Sequence, residues 1–136
     1  MSLANATIAT RLPARDLARA RRWYHDKLGL DPVEERDGGL RYVLAGSEFC
    51  LFTSTGGADG SFTQMAFTVP DLDATLAALR AAGLEVEEYD FTEDGVASIQ
   101  GNYPSKGSGE RAAWFRDSEG NLMGIGQPTR TEKESS

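Results

Sequence analysis

The chain has 136 residues and a net charge of −7, with 14 Lys and Arg against 21 Asp and Glu. This length suits one domain with its own hydrophobic core. The acidic balance disfavours nucleic acid and anionic membrane surfaces as partners, because both are negatively charged. No apolar run approaches the roughly 20 residues that span a bilayer. The single cysteine, Cys50, excludes an internal disulfide and favours a cytoplasmic location, and its apolar neighbours predict a place in the core.

The first half of the chain predicts one strand, one helix and three further strands. Residues 7–12 alternate apolar and polar side chains, which is the period of a strand. Asp16 stands where a helix N-cap belongs, and apolar side chains then recur at steps of three and four residues. Gly29 is the expected end of this helix, since glycine adopts the left-handed conformation at low cost. Short strands with glycine turns between them are predicted at residues 31–36, 40–45 and 48–53.

The second half repeats this order. Residues 64–69 form a predicted strand, Asp71 is the predicted N-cap, and Gly83 ends the predicted helix. Further strands are predicted near residues 85–90, 96–100, 111–116 and 122–126. The Asp-Leu pairs that open the two helices, at 16–17 and 71–72, lie 55 positions apart.

The repeat predicts an α+β fold of two tandem β-α-β-β-β modules, about residues 6–55 and 62–127, within one domain of residues 1–127. Because each half alone buries little surface, we expect the halves to form one concave mixed sheet with the helices on its outer face. The open inner face is then the expected ligand site. Residues 128–136 are polar and charged, and we expect a disordered tail there.

A loop rich in Gly, Ser and Pro at residues 101–109 has no counterpart in the first half. Loops of this composition act either as lids over a site or as plain connectors, and both alternatives stay open.

Three stretches carry a family resemblance. Residues 12–17 (Leu-Pro-Ala-Arg-Asp-Leu) are followed by Trp-Tyr and Leu-Gly-Leu, and residues 67–72 (Phe-Thr-Val-Pro-Asp-Leu) open the second half in the same way. Residues 114–121 (Trp-Phe-Arg-Asp-Ser-Glu-Gly-Asn) form the last hairpin. In this order they resemble the vicinal oxygen chelate superfamily, which includes glyoxalases, bleomycin-resistance proteins and extradiol dioxygenases. The resemblance implies a small-molecule ligand and a homodimer.

Members of this superfamily generally place metal ligands at four strand positions that face the cavity. By the resemblance these positions fall on Ala9, Leu51, Gln64 and Gly124. The side chains of Ala, Leu and Gly offer no lone pair, and one neutral amide cannot hold a divalent metal alone. We therefore expect no metal and no cofactor at this site.

Other residues are candidates for binding a ligand. Arg11 lies two residues after Ala9 and so faces the same side, where it either binds a ligand carboxylate or carbonyl or pairs with an internal acid such as Glu48. Gln64 either orients a ligand or serves as a structural amide. The aromatic side chains either line a pocket or belong to the core. The predicted ligand-binding set is Arg11, Phe49, Leu51, Gln64, Tyr103 and Trp114.

The leading hypothesis is a metal-free protein that binds a small molecule. The resemblance implies a resistance-type protein that sequesters an aromatic natural product or antibiotic. The alternative is an enzyme of the lyase, isomerase or dioxygenase kind. It would need either an unusual metal site or metal-free acid/base groups, for which Arg11, Gln64, Tyr103 and Lys106 are candidates, and no catalytic residue is assigned. His25, the one histidine, is expected on the solvent-exposed face of the first helix.

Overall fold

The computed structural model of the chain describes residues 2–99 and 110–128, which form two modules of similar order. The first consists of β1 (Thr10–Ala14), α1 (Leu17–Trp23), a π-helix (Tyr24–Leu28), β2 (Glu34–Arg36), β3 (Gly39–Leu44) and β4 (Ser47–Thr53). The second consists of β5 (Met65–Thr68), α2 (Leu72–Ala81), β6 (Ala97–Ile99), β7 (Glu110–Arg116) and β8 (Leu122–Pro128). Within these described ranges, no helix is long and apolar enough to cross a membrane.

Each module forms its own four-stranded mixed sheet, in the orders β1-β4-β3-β2 and β5-β8-β7-β6. In both sheets the first strand lies parallel to the last, and the other pairs are antiparallel. The predicted α+β fold of two β-α-β-β-β modules is confirmed, although the sheet is divided between the modules. The division arises because β1 and β5 remain edge strands and do not pair with each other in the described structure.

The helix ends lie where the sequence predicts them. The Asp16 side chain accepts a hydrogen bond from the Arg19 backbone N–H (2.9 Å), and Asp71 caps the second helix through the Ala74 N–H (3.0 Å). These carboxylates satisfy N–H groups that have no partner within the helix. Gly29 ends the π-helix that continues α1, with a φ of +69°, in the left-handed region that glycine enters without strain.

The two modules share one hydrophobic core. Tyr42 of β3 stacks on Phe49 of β4 with ring centroids 4.8 Å apart, and Tyr24 of the π-helix packs on both rings. Phe49 also meets Phe67 of β5 edge to face, and Phe67 in turn stacks on Phe115 of β7. The helix-facing sides of both sheets therefore pack into a single cluster. The opposite side of each sheet is turned away from it.

The turn between β7 and β8 fastens the second module to the first. The Glu119 carboxylate accepts hydrogen bonds from the backbone N–H groups of Arg15 (2.9 Å) and Asp16 (3.2 Å), at the start of α1. It also accepts two from the Arg19 guanidinium, at 2.8 and 2.9 Å. Chiefly through the Arg19 hydrogen bonds, the pKa of Glu119 is lowered to about 2. Glu119 therefore carries its charge under all ordinary conditions.

A second link between the modules is fully buried. The Tyr24 hydroxyl donates to Asp117 Oδ2 at 2.6 Å, and burial raises the pKa of this tyrosine. The Asn121 side-chain amide donates to the same carboxylate (2.8 Å) and to the backbone carbonyl of Pro13 (3.1 Å). These bonds compensate the cost of burying a carboxylate between the modules.

The predicted strand at residues 85–90 is wrong. This segment is not a strand, and its link to β7 is a hydrogen bond from the Glu87 N–H to the Trp114 carbonyl (2.8 Å). The chain turns at residues 89–92, where the Thr92 side chain both accepts from the Tyr89 N–H and donates to the Tyr89 carbonyl, each at 2.9 Å. This turn ends the extended segment before continuous strand pairing with β7 can form. The predicted loop at 101–109 and the predicted tail after Pro128 lie outside the described residues.

Candidate functional site

Strand register decides which side chains can reach a ligand in the first module. Leu12 of β1 and Leu51 of β4 are direct partners, and both are buried in the core. Successive side chains in a strand point to opposite faces. Arg11 and its register partner Cys50 therefore lie on the face away from the core, where Arg11 is exposed and Cys50 half-buried.

Two predicted ligand-binding residues are on the core side instead. Leu51 is completely buried, and Phe49 packs between Tyr24 and Tyr42. The expectation that Leu51 faces the same side as Arg11 is not met. A shift of one residue in assigning a strand position moves a side chain to the other face.

The internal repeat shows which residue of β4 occupies the open-face position that the sequence assigned to Leu51. An offset of 55 residues relates Arg11 to Ala66, and Ala66 pairs with Gly124 in β8. Because Arg11 pairs with Cys50, it is Cys50 that corresponds to Gly124. The expectation of a core position for Cys50 is likewise not met, since its strand turns its side chain away from the core.

The open face of module 1 is the side of its sheet that carries Arg11, Arg41, Cys50 and Phe52. A cavity of about 360 Å³ lies over this face. The Glu34 carboxylate accepts from the Arg41 guanidinium at 2.8 Å, and these hydrogen bonds from arginine hold the pKa of Glu34 below its usual range. The face is therefore mainly charged, with the aromatic ring of Phe52 at one side.

The open face of module 2 carries Gln64, Ala66, Trp114 and Gly124. The Trp114 ring and the Ala66 methyl group pack next to Gly124: a Cβ added there would make ordinary van der Waals contacts, 3.6 Å from Trp114 Nε1 and 3.5 Å from Ala66 Cβ. The Gln64 Oε1 atom is buried without a hydrogen-bond partner in the described structure, which is costly unless a bound group donates to it.

An aromatic cluster borders this second open face. It consists of Tyr89, Phe91 and Trp114. Tyr89 and Phe91 stack with centroids 5.2 Å apart, and Trp114 meets Phe91 edge to face at 5.6 Å and Tyr89 at 5.9 Å. Phe91 is nonetheless 64% exposed. Three rings are thus held in contact with each other while one of them presents most of its surface to solvent.

Tyr89 and Phe91 were missed by sequence reasoning. The available signal was their spacing, because two aromatic residues two positions apart fall on the same side of an extended segment. Their contact with Trp114 depends on how residues 85–91 cross β7, which local patterns do not reveal.

The predicted ligand-binding residues are distributed over several surfaces. Arg11 and Leu51 border the cavity of module 1, Leu51 with its side chain buried. Phe49 borders a different cleft, of about 470 Å³, beside β5. Gln64 and Trp114 share the open face of module 2 by strand alternation. Tyr103 lies outside the described residues.

The positions at which relatives hold a metal do not suit one here. Ala9 and Gly124 have no donor atom, and Cys50 and Gln64 offer one thiol and one amide. A divalent metal needs three or more converging donors from protein. In residues 2–99 and 110–128, no group of three or more His, Cys, Asp or Glu side chains is arranged to hold a metal ion.

Comparison with known proteins agrees with this architecture. The sequence profile of the glyoxalase/bleomycin resistance protein/dioxygenase superfamily matches residues 6–125. A comparison with curated protein sequences finds no significant match.

Several solved structures share the fold at low sequence identity. TnmS3, an antibiotic binding protein from Streptomyces sp. CB03234, is 23% identical over 93% of this chain and 99% of its own, with a TM-score of 0.67. Lactoylglutathione lyase from Agrobacterium tumefaciens is 21% identical over 93% and 96%, with a TM-score of 0.62. A glyoxalase/bleomycin resistance protein/dioxygenase from Alicyclobacillus acidocaldarius is 15% identical over 93% of both chains, with a TM-score of 0.71. Profile, module order and fold together show that the chain belongs to the glyoxalase/bleomycin resistance protein/dioxygenase superfamily.

Proposed function

We propose that this protein binds and sequesters a planar aromatic small molecule, such as an antibiotic or other natural product, without a metal. The observation that carries the proposal is the aromatic cluster on the open face of module 2. Aromatic faces give a large contact area and stack on flat ligands. Phe91 keeps 64% of its surface exposed although it is held by two other rings, so a ligand can stack on it with little rearrangement.

Two further observations support a binding role. The orphaned Gln64 Oε1 on the same face is an acceptor that a ligand N–H or O–H would satisfy. TnmS3 is an antibiotic binding protein, although at 23% identity the likeness shows the fold alone. The similarity to lactoylglutathione lyase, at 21% identity, is also a likeness of fold alone.

The proposed working form is a homodimer in the cytoplasm. Each open face is turned away from the core and exposes apolar side chains, among them Val43 and Phe52 on module 1 and Phe91 on module 2. A second copy that lays its module 1 face against this module 2 face would cover them and enclose the ligand. Covering exposed apolar surface is the main driving force for such association. Cys50 is free and unpaired with another cysteine, which agrees with a reducing compartment.

The test is binding of a neutral planar probe, anthracene-2-carboxamide, followed by its fluorescence and by the melting temperature of the protein. Binding to the folded state alone stabilises by about 2.7 kcal/mol at a hundredfold excess over Kd. Phe91→Ala should weaken binding by about threefold to tenfold, since a ring contact contributes about 0.5–1.5 kcal/mol.

A matched control is Phe62→Ala, because Phe62 is equally exposed (65%) but has no ring contact in the described structure. It should leave the affinity unchanged. Absence of any stabilisation by the probe, or equal losses in the two variants, would contradict the proposed function.

A further inference from the structure

Arg11 is a charged group on the open face of module 1 to which the described residues supply no partner. In the described part of the chain, the Arg11 side chain makes no hydrogen bond or ion pair. It lines the 360 Å³ cavity together with Cys50 and Phe52. Arg11 extends from β1 opposite Cys50, so the backbone that carries it is fixed by the parallel β1–β4 pairing.

The other arginines around this cavity are already neutralised. Glu34 accepts from Arg36 at 2.6 Å and from Arg41 at 2.8 Å. Arg41 also reaches Glu48 at 3.4 Å. These hydrogen bonds lower the pKa of Glu34 and raise that of Arg41, so both stay charged at neutral pH.

The charges around the cavity balance one another, in contrast to the acidic protein as a whole. Its lining holds three arginines, at positions 11, 36 and 41, against acids at positions 34 and 37, and Glu48 next to the lining pairs with Arg41. The chain as a whole carries −7. An anion is repelled by the acidic surface in general, and the cavity beside Arg11 is a place where it would be attracted.

Guanidinium chemistry specifies the kind of anion. The planar fork of arginine matches a carboxylate with two parallel N–H···O bonds, and it is less strongly hydrated than an ammonium group. Phe52 beside it supplies an aromatic wall that is partly exposed. We propose that the ligand of this protein is an aromatic acid, whose carboxylate is bound by Arg11. This inference rests on the proposed function and adds the charge of the ligand. In the proposed dimer, the module 1 face of one copy, which carries Arg11, lies against the aromatic cluster of the other copy, so both can contact one ligand.

The experiment compares three probes with one ring system: anthracene-2-carboxylate, the neutral anthracene-2-carboxamide, and 2-(aminomethyl)anthracene, which is cationic at pH 7. The full-length protein should bind the carboxylate about tenfold more tightly than the carboxamide, the size expected for a hydrogen-bonded charge at a partly open site. Raising the salt concentration should weaken carboxylate binding and leave carboxamide binding unchanged.

Variants then assign the preference to one residue. Arg11→Gln should abolish the tenfold preference for the carboxylate over the carboxamide, and Arg11→Lys should keep only part of it because a lysine cannot form the bidentate pair. The control is Arg22→Gln, which removes the same charge from an exposed position on α1 and should keep the preference. Because Arg11 has no partner among residues 2–99 and 110–128, its variants should melt at the same temperature as the wild type.

The outcomes separate this inference from the proposed function. If the carboxamide binds but the carboxylate is not preferred, if the cationic probe is preferred, or if Arg11→Gln retains the preference, the inference is overturned while aromatic binding stands. If none of the three probes binds, the proposed function fails and the inference fails with it.

Discussion

Replacing Glu119 by glutamine removes one negative charge from the junction of the two modules. The Glu119 side chain is only 1% exposed, and its pKa is about 2 against an ordinary value of 4.5. A difference of this size corresponds to about 3.5 kcal/mol of stability at pH 7, at about 1.4 kcal/mol per pKa unit. Because Arg19 is half-exposed and solvent screens part of the interaction, we expect Glu119→Gln to lose about 2–3 kcal/mol.

The stabilisation by Glu119 depends on pH, because only the ionised carboxylate provides it. A carboxyl group whose pKa is lowered by folding stabilises the protein above its unfolded pKa, and the effect is lost as the pH falls from about 4.5 to about 2. The difference in the free energy of unfolding between wild type and Glu119→Gln, measured in urea, should therefore fall by more than half between pH 7 and pH 3. The control is Glu35→Gln, at an exposed ion pair with Arg21, which should cost less than about 1 kcal/mol. The reasoning would be refuted by a difference in unfolding free energy between wild type and Glu119→Gln that is below about 0.5 kcal/mol at pH 7, or that is equal at both pH values.

Three more outcomes are expected. Tyr24→Phe should lower the free energy of unfolding by about 1.5–3 kcal/mol in urea titrations, because a buried carboxylate loses its hydroxyl donor; an unchanged midpoint would contradict this. Val43→Lys should weaken the proposed dimer at least tenfold in sedimentation velocity, whereas Val33→Lys, outside the sheets, should leave it intact; equal sedimentation of both variants would count against the open faces as the interface. The imidazole pKa of His25, followed by NMR, should lie above its ordinary value because of the hydrogen bond to Asp31, and Asp31→Asn should lower it; no response would remove that cause.

The parts of the fold that depend on local chemistry were predictable. Asp16 and Asp71 are caps because a short carboxylate reaches the free N–H groups of a first turn, and this can be read from the residues alone. Gly29 at a positive φ follows from the same kind of argument. The repeat of these signals 55 residues later was sufficient to predict two modules of one order.

The parts of the fold that depend on pairing between distant segments could not be predicted from the sequence. Leu51 and Cys50 are neighbours in an apolar run, and only the register with β1 shows which one faces the core. Tyr89 and Phe91 gained their role from Trp114, which lies more than 20 positions away in the chain. Alternation along β1 was thus enough to predict that Arg11 faces away from the core, whereas the contacts of Tyr89 and Phe91 with Trp114 could not be predicted.

The hydrogen bonds at the junction also constrain the order of events during synthesis. The hydrogen-bond partners of the Tyr24 hydroxyl and the Arg15 N–H, Asp117 and Glu119, lie 93 and 104 residues further along the chain. A nascent chain that has exposed only its first module has neither the buried carboxylate nor the Glu119 cap, and the aromatic side of its sheet has no second module to cover it. Folding of the first half is thus completed only after the last hairpin leaves the ribosome, and contacts of such long range slow the final step.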